Sequence, residues 1–375
     1  MARAKNFSRS SLRMVYTHIS IIKIKGNLGT MGKIVIFGAS GFVGTHLVRF
    51  LCTKNSRQEL VLVDASEPSF EKYGPAVAEA IEAGCISFRK IDLRGDIPLD
   101  LCEGSVDIIF NLAAVHREPG HSHEEYFETN ICSARNICNW AQEKECFRIV
   151  FVSSISVYGQ SETPKCETSI PCPRTAYGMS KYIAENIHMT WQASESPRRK
   201  ILIVRPGVVF GAGEQGNITR LVRSLLHGYF FYFNNHKVKK SAIYVKELCY
   251  ILDFGLAELD KSQDCFLLLN ASMNPIPTLQ DFVEVISSVL NIRPALLNIP
   301  MKIAIIISHL INNIARLMKI AQPIHPTRIH KLCHSTNVEA QNIHLKSYHY
   351  HYTLESAFRD WLIDSPDVFL KKPDA

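Results

Sequence analysis

The stretch Lys33-Ile-Val-Ile-Phe37-Gly38-Ala39-Ser40-Gly41-Phe42-Val43-Gly44 decides the fold. KIVIF is a short β-branched run, and the residues from Phe42 to about Thr53 are amphipathic, so the segment reads as strand, tight turn and helix. Three glycines at GxxGxxG spacing lie between the two elements. They permit a tight turn, let the backbone approach a pyrophosphate and allow the helix to pack closely on the strand. The helix N-terminus adds unpaired N–H groups and the positive end of its dipole.

The next strand, LVLVD (Leu60–Asp64), ends on a carboxylate where a ribose hydroxyl would be held. That carboxylate repels a 2′-phosphate, and Ala65 and Ser66 bring no cation, so NAD is favoured over NADP. Strand and helix patterns then alternate. Helices are expected around 76–83, 124–145 and 177–193, and strands over 86–88, 107–111, 148–153 and 200–205. Strands apolar throughout and separated by helices indicate an α/β fold of Rossmann type, a doubly wound parallel sheet covered on both faces. After Arg205 the elements become shorter and mixed, with Thr278 and Asp281 forming a capping-box helix start. Residues 31–210 are therefore read as the NAD-binding domain and 211–375 as mainly a smaller C-terminal substrate-binding lobe.

Of the 375 residues, the first thirty hold six basic side chains and no acid. They carry six of the seven excess positive charges and leave about +1 on the rest, which removes the main support for nucleic-acid binding. Residues 1–30 are set apart as a basic extension outside the fold: a presequence, a basic arm or sequence upstream of a start at Met31. The eleven cysteines are scattered and form no CxxC pair, so they are read as reduced thiols of a cytoplasmic protein. His121 and His123 have no third ligand nearby, and no metal site is expected. Residues 301–321 form the most apolar long stretch. Asn312, Asn313, Arg316 and Lys319 argue against a spanning helix and leave a packed core helix or an interfacial one.

Tyr177-Gly-Met-Ser-Lys181 opens a helix, and i,i+4 spacing puts phenol and ammonium on one face. The motif follows the strand that leads into Ser153 and Ser154, at the sheet edge where open α/β folds bind ligands. Ionising a tyrosine at pH 7 needs roughly 4 kcal/mol of differential stabilisation. Lys181 and an oxidised nicotinamide would supply part of it, and Ser154 would hydrogen-bond the same substrate oxygen.

Together, GASGFVG (Gly38–Gly44), Asp64, Asp92, NLAA (Asn111–Ala114), Asn130, SSISVYG (Ser153–Gly159), YGMSK (Tyr177–Lys181) and RPGVVFG (Arg205–Gly211) resemble the extended short-chain dehydrogenase/reductase family, in its NAD-dependent epimerase/dehydratase branch. The resemblance covers roughly residues 32–362. It implies catalytic roles for Ser154, Tyr177 and Lys181. It implies cofactor contacts from Gly38, Ser40, Gly41, Phe42, Val43, Gly44, Asp64 and, at adenine, Asp92 with Leu93. Leu112, Ala113, Ala114, Asn130, Val152, Ser153, Tyr177 and Lys181 would follow the cofactor inwards, and Pro206, Val208 and Val209 would border the nicotinamide. His116, Arg117, Ser154, Ser156, Asn217 and Lys240 would face substrate, the last two at its diphosphate.

Relatives that dehydrate sugars carry an Asp-Glu pair after the Ser/Thr; here Ile155 and Ser156 stand there, so elimination lacks its acid and base. The resemblance then implies a 4-epimerase that oxidises a sugar to a 4-keto intermediate and reduces it on the other face. The sugar would be a hexose or N-acetylhexosamine on UDP or polyprenyl diphosphate, as in polysaccharide biosynthesis. Val208 replaces an Asn expected in UDP-galactose epimerases. The alternative is a reductase or dehydrogenase of a keto-sugar or sterol-like alcohol. Helices 124–145 and 177–193 resemble those that pair in family homodimers, and a polyprenyl carrier would bring the protein to the inner face of the membrane.

Overall fold

The computed structural model describes residues 32–370 apart from residues 56, 118–119, 229, 234–235, 294–296 and 300–333. The extension over 1–30 and the apolar stretch over 301–321 lie outside the described residues. In chain order the first elements are β1 (Lys33–Phe37), α1 (Phe42–Lys54), β2 (Leu60–Asp64), α2 (Pro75–Glu82), β3 (Ile86–Lys90), β4 (Val106–Asn111) and α3 (His123–Glu143). Then come β5 (Arg148–Val152), β6 (Ser161–Lys165), α4 (Ala176–Ala193), β7 (Lys200–Pro206), β8 (Val208–Phe210), α5 (Asn217–Leu226) and β9 (Phe231–Phe233). The last are β10 (Ala242–Tyr244), α6 (Val245–Lys261), β11 (Phe266–Ala271), α7 (Leu279–Leu290), β12 (Leu297–Ile299), β13 (Thr336–Val338), α8 (Gln341–Leu345) and α9 (Leu354–Asp364).

Seven strands form one parallel sheet in the order β11-β7-β5-β4-β1-β2-β3. From β1 the chain runs outward through β2 to β3, then returns to pair β4 on the other side of β1. That reversal opens a crevice beyond the carboxyl ends of β1 and β4, where open α/β sheets bind ligands. The seventh strand, β11, comes from the chain after residue 211 and lies against β7.

Alternation along β1 divides the core. Ile34 and Ile36 join a cluster with Leu47 and Val48 of α1 and Ile251 and Leu252 of α6. Val35 and Phe37 join another with Ile137, Trp140 and Ala141 of α3, where Phe37 meets Trp140 edge-on at 5.7 Å between ring centres. Both faces of the sheet are thus covered, as the unbroken apolar runs require. Full burial of such side chains contributes about 1.5–3 kcal/mol each.

Three parallel strand pairs, β8–β10, β9–β12 and β6–β13, stand apart from the sheet. Phe210 at the end of β8 packs among Tyr244, Phe282, Phe358 and Trp361. The expected capping box is present: Thr278 and Asp281 bond each other's backbone N–H groups at the start of α7. Strands β6, β8 and β13 escape the sequence reading because each has only three to five residues, too few to display a period.

Candidate active site

The glycine turn is fixed by the protein at its ends and left open in its middle. Gly38 has φ +81°, and a Cβ there would stand 2.7 Å from the Ala113 backbone nitrogen. At Gly44 a Cβ would stand 2.3 Å from the Gly38 carbonyl oxygen. A Cβ at Gly41 meets only that oxygen, at 3.3 Å, so close packing within the protein does not demand a glycine there. A pyrophosphate lying on the turn would demand one. Gly41 is also the N-cap of α1 and contributes no side-chain cap, so the first-turn N–H groups remain for an anion.

Asp64 is joined to this turn. Its Oδ2 accepts from Ser40 N and its Oδ1 from Ser66 N, both at 3.0 Å, while Ser40 Oγ donates to Ser66 O at 2.8 Å. Asp92 is exposed and paired with Arg94, whose hydrogen bonds hold its carboxyl below the usual range. The neighbouring Leu93 is buried, and its carbonyl, like that of Gly95, accepts from Asn136 Nδ2. These features fit NAD: a cradle a Cβ would fill for the pyrophosphate and a carboxylate beside it for the ribose.

The loop after β4 is fastened to both neighbours. Asn111 Oδ1 accepts from Ala113 N at 3.2 Å, and its Nδ2 donates to His188 Nε2, also at 3.2 Å. His188 Nδ1 donates to Ala184 O, so the ring is neutral, and burial pushes its pKa down to about 4. Leu112 and Ala114 are half-buried on this loop. Asn130 bonds the backbone of Val115 twice, through Oδ1 and Nδ2, and its Nδ2 also donates to Ser180 Oγ. Ser180 Oγ in turn donates to Tyr177 O. Asn130 therefore ties the loop to the helix that carries the Tyr/Lys pair.

At the end of β5, Val152 O accepts from Lys181 Nζ at 2.7 Å, and the ammonium lies 4.3 Å from the centre of the Phe151 ring. Lys181 is 2% exposed, and burial lowers its pKa to about 7 against the opposing pull of Glu185. Ser153 turns inwards and donates to Glu185. Ser154 caps a short 3-10 turn by accepting from Ser156 N, and its hydroxyl pairs with that of Ser156 at 3.1 Å. Tyr177 is half-buried, with its ring 6.1 Å from that of Tyr126.

Residues after 211 reach this edge at Arg117 and at His46. Arg117 donates to Gln215 at 3.1 Å, and His46 of α1 bonds Ala212 O at 2.8 Å, its pKa lowered to about 4 by burial. His116 stands beside Arg117 on the cofactor loop. Pro206, Val208 and Val209 lie where β7 passes into β8, and Val208 N donates to Ser241 O. Asn217 is exposed at the start of α5 and accepts from Arg220; Lys240 donates to His334 O. Among the described residues no three metal-ligating side chains gather, and His121 pairs with Glu125.

Sequence reasoning missed Glu185, Arg205, His188, Tyr126 and Gln215. Glu185 and His188 were within reach, since they lie four and seven residues beyond Lys181 on the same helical face. Arg205 is marked by being a lone charge at the end of an apolar strand.

The fold and the glycine turn are those of a nicotinamide-dinucleotide enzyme. Residues 34–265 match the model of the NAD dependent epimerase/dehydratase family, and the chain belongs to it. Its cofactor is NAD. A relative from Escherichia coli O157:H7, an N-acetyl-alpha-D-glucosaminyl-diphospho-ditrans,octacis-undecaprenol 4-epimerase, is 24% identical over 343 residues, covering 91% of this chain and 97% of its own. The bifunctional UDP-glucose 4-epimerase and UDP-xylose 4-epimerase 3 of Arabidopsis thaliana is 29% identical over 198 residues, 50% of this chain and 54% of its own. In fold, the chain is similar to MoeE5 in complex with UDP-glucose and NAD (TM-score 0.67, 19% identity, 90% and 99% of the two chains). It is likewise similar to the UDP-Glc/GlcNAc 4-epimerase of Campylobacter jejuni (TM-score 0.68, 17% identity, 90% and 100%). Among the described residues no helix is long and apolar enough to cross a membrane.

Proposed function

We propose that the protein is an NAD-dependent 4-epimerase of a hexose or N-acetylhexosamine carried on a diphosphate, with residues 31–210 holding the cofactor and 211–375 mainly the substrate. The observation that carries this reading is that Ser154 follows the end of β5 while Lys181, on the helix that also carries Tyr177, donates to Val152 O at that same sheet edge. Bound NAD⁺ supplies a reversible hydride acceptor next to these groups.

Tyr177 takes the proton of the C4 hydroxyl and later returns it. The Lys181 ammonium lowers the cost of the phenolate, and Ser154 donates to the oxygen that gains charge. Ile155 and Ser156 occupy the 3-10 turn that follows Ser154, and neither is an acid–base group suited to eliminating water. The chemistry therefore stops at the ketone and returns. His116 and Arg117 flank the sugar, and Asn217 and Lys240 face the diphosphate.

The near-complete mutual coverage with the undecaprenol-linked relative supports a polyprenyl carrier, and with such a carrier the enzyme would work in the cytoplasm at the inner membrane face. A surface groove between α3 and α4, lined by Cys138, Ile183, Ile187 and Trp191, favours a homodimer through these helices.

The test is incubation of the purified protein with UDP-N-acetylglucosamine and, separately, undecaprenyl-diphospho-N-acetylglucosamine, following the C4 epimers by NMR. Epimerisation without added NADH, reduced at least about 100-fold in Tyr177→Phe, is expected. Stoichiometric NADH formation would select a dehydrogenase instead, and full activity of Tyr177→Phe would overturn the mechanism.

A further inference from the structure

Behind the catalytic edge lies a buried polar network that the reaction does not touch. Glu185, 0% exposed, receives both arms of the Arg205 guanidinium, at 2.8 and 2.6 Å, and the hydroxyl of Ser153. Arg205 also donates to Tyr158 OH at 2.7 Å, and that phenol donates to Asn270 Oδ1 at 3.0 Å. The network thus links α4 to the carboxyl ends of β5, β7 and β11.

Lys181 and Glu185 are one helical turn apart on α4, and they hold adjacent residues of β5: Lys181 through Val152 O, Glu185 through Ser153. Removing an ammonium and a carboxylate from water costs several kcal/mol per ion unless partners compensate. Arg205 Nε and Nη2 meet the two carboxylate oxygens of Glu185, one helical turn from Lys181. The other titratable groups around the ammonium are Tyr177 and His188 on α4, His116 on the cofactor loop, and Tyr158 behind Arg205; neither histidine supplies a negative charge.

We propose that Glu185 is a positioning residue for the proton-transfer site: gripped by Arg205 and receiving the Ser153 hydroxyl, it fixes the end of β5 on which Val152 O seats Lys181, and it touches neither substrate nor cofactor. The role rests on the reading of Lys181 as the partner of Tyr177.

The experiment titrates Lys181 in the purified full chain labelled with ¹³C at lysine Cε, taking as its signal the resonance missing from Lys181→Met. Glu185→Gln is expected to move the Lys181 midpoint down by about one pH unit or more, because the favourable charge is lost. The doubly neutral Glu185→Gln/Arg205→Met variant removes the whole ion pair and should fold even if the single variant does not. Its midpoint is expected to lie below wild type and above the single variant, since Arg205 no longer opposes the ammonium. Glu185→Asp should return the midpoint towards wild type. An unmoved midpoint in either neutral variant overturns the proposal. The readout needs no sugar, so a chain that fails to epimerise but shows these shifts rejects the proposed function and not the inference.

Discussion

Asn130 Nδ2 donates to Ser180 Oγ at 2.9 Å across the gap between α3 and α4, a bond that links the loop after β4, through Asn130, to the helix that carries Tyr177 and Lys181. Because the same amide holds Val115 at both its N–H and its carbonyl, Asn130 sets the spacing between the loop and Tyr177. Asn130→Ala leaves the Val115 groups unpaired and costs about 1–3 kcal/mol of stability. It should also lower kcat/KM about tenfold or more, since a small misplacement of reacting groups is costly. Ser180→Ala removes only one link and should cost less on both counts. Chemical denaturation and initial-rate kinetics on the two variants check the order.

The three glycines of the turn should separate folding from binding. A methyl group at Gly44 would press on the Gly38 carbonyl oxygen at 2.3 Å, so Gly44→Ala should be strongly destabilised. Gly41→Ala needs only a small shift, since the one close atom stands at 3.3 Å. Its melting temperature should stay near wild type while its NAD affinity falls about tenfold or more, equivalent to ~1.4 kcal/mol. Calorimetric titration with NAD beside thermal unfolding distinguishes the two. An NAD affinity unchanged in Gly41→Ala would remove the pyrophosphate from the turn.

Two buried histidines predict how the fold responds to acid. His46 and His188 are neutral in the folded chain, with pKa lowered to about 4 by burial, and both recover ordinary values near 6.5 on unfolding. Between those values the unfolded chain binds more protons, so stability is fully present above pH 6.5 and is lost as pH falls towards 4. The loss is on the order of 3 kcal/mol per histidine. Urea unfolding at pH 7, 5.5 and 4.5 should show it, and His188→Gln should flatten the slope while lowering stability at pH 7. A variant with the wild-type slope would show that His188 does not titrate in this window.

What could be read from the chain depended on whether a residue's job was local. Gly38, Gly44 and Asp64 lie within one β-α-β unit, and Tyr177 and Lys181 within two turns of one helix, so spacing together with their place after a strand marks them as candidates. Asn130 carries chemistry only because α3 brings it against both Val115 and Ser180, fifteen and fifty residues away in sequence. No period encodes such a contact. Likewise Arg205 closes an apolar strand and gives no hint that its partner is Glu185. Beyond Arg205 the three-residue strands β8 and β13 are too short to show alternation, whereas the Thr278–Asp281 pair marks a helix start, because a cap is a four-residue signal.

Arg117 and Gln215 offer the most direct test of substrate contact. Arg117 follows the loop after β4, Gln215 precedes α5, and a bond of 3.1 Å joins them. The Arg117 backbone carbonyl is itself held by the Tyr126 hydroxyl, so the guanidinium extends from an anchored base. If the guanidinium holds the sugar or its diphosphate, Arg117→Ala should raise KM about tenfold with a smaller change in kcat. Gln215 acts only by orienting that side chain. Gln215→Ala should therefore raise KM less, and the double variant should match Arg117→Ala alone, a coupling of about 1 kcal/mol in a double-mutant cycle. Additive effects would mean that the two residues contact substrate separately. Effects confined to kcat would mean that the bond governs opening and closing of the cleft rather than sugar binding.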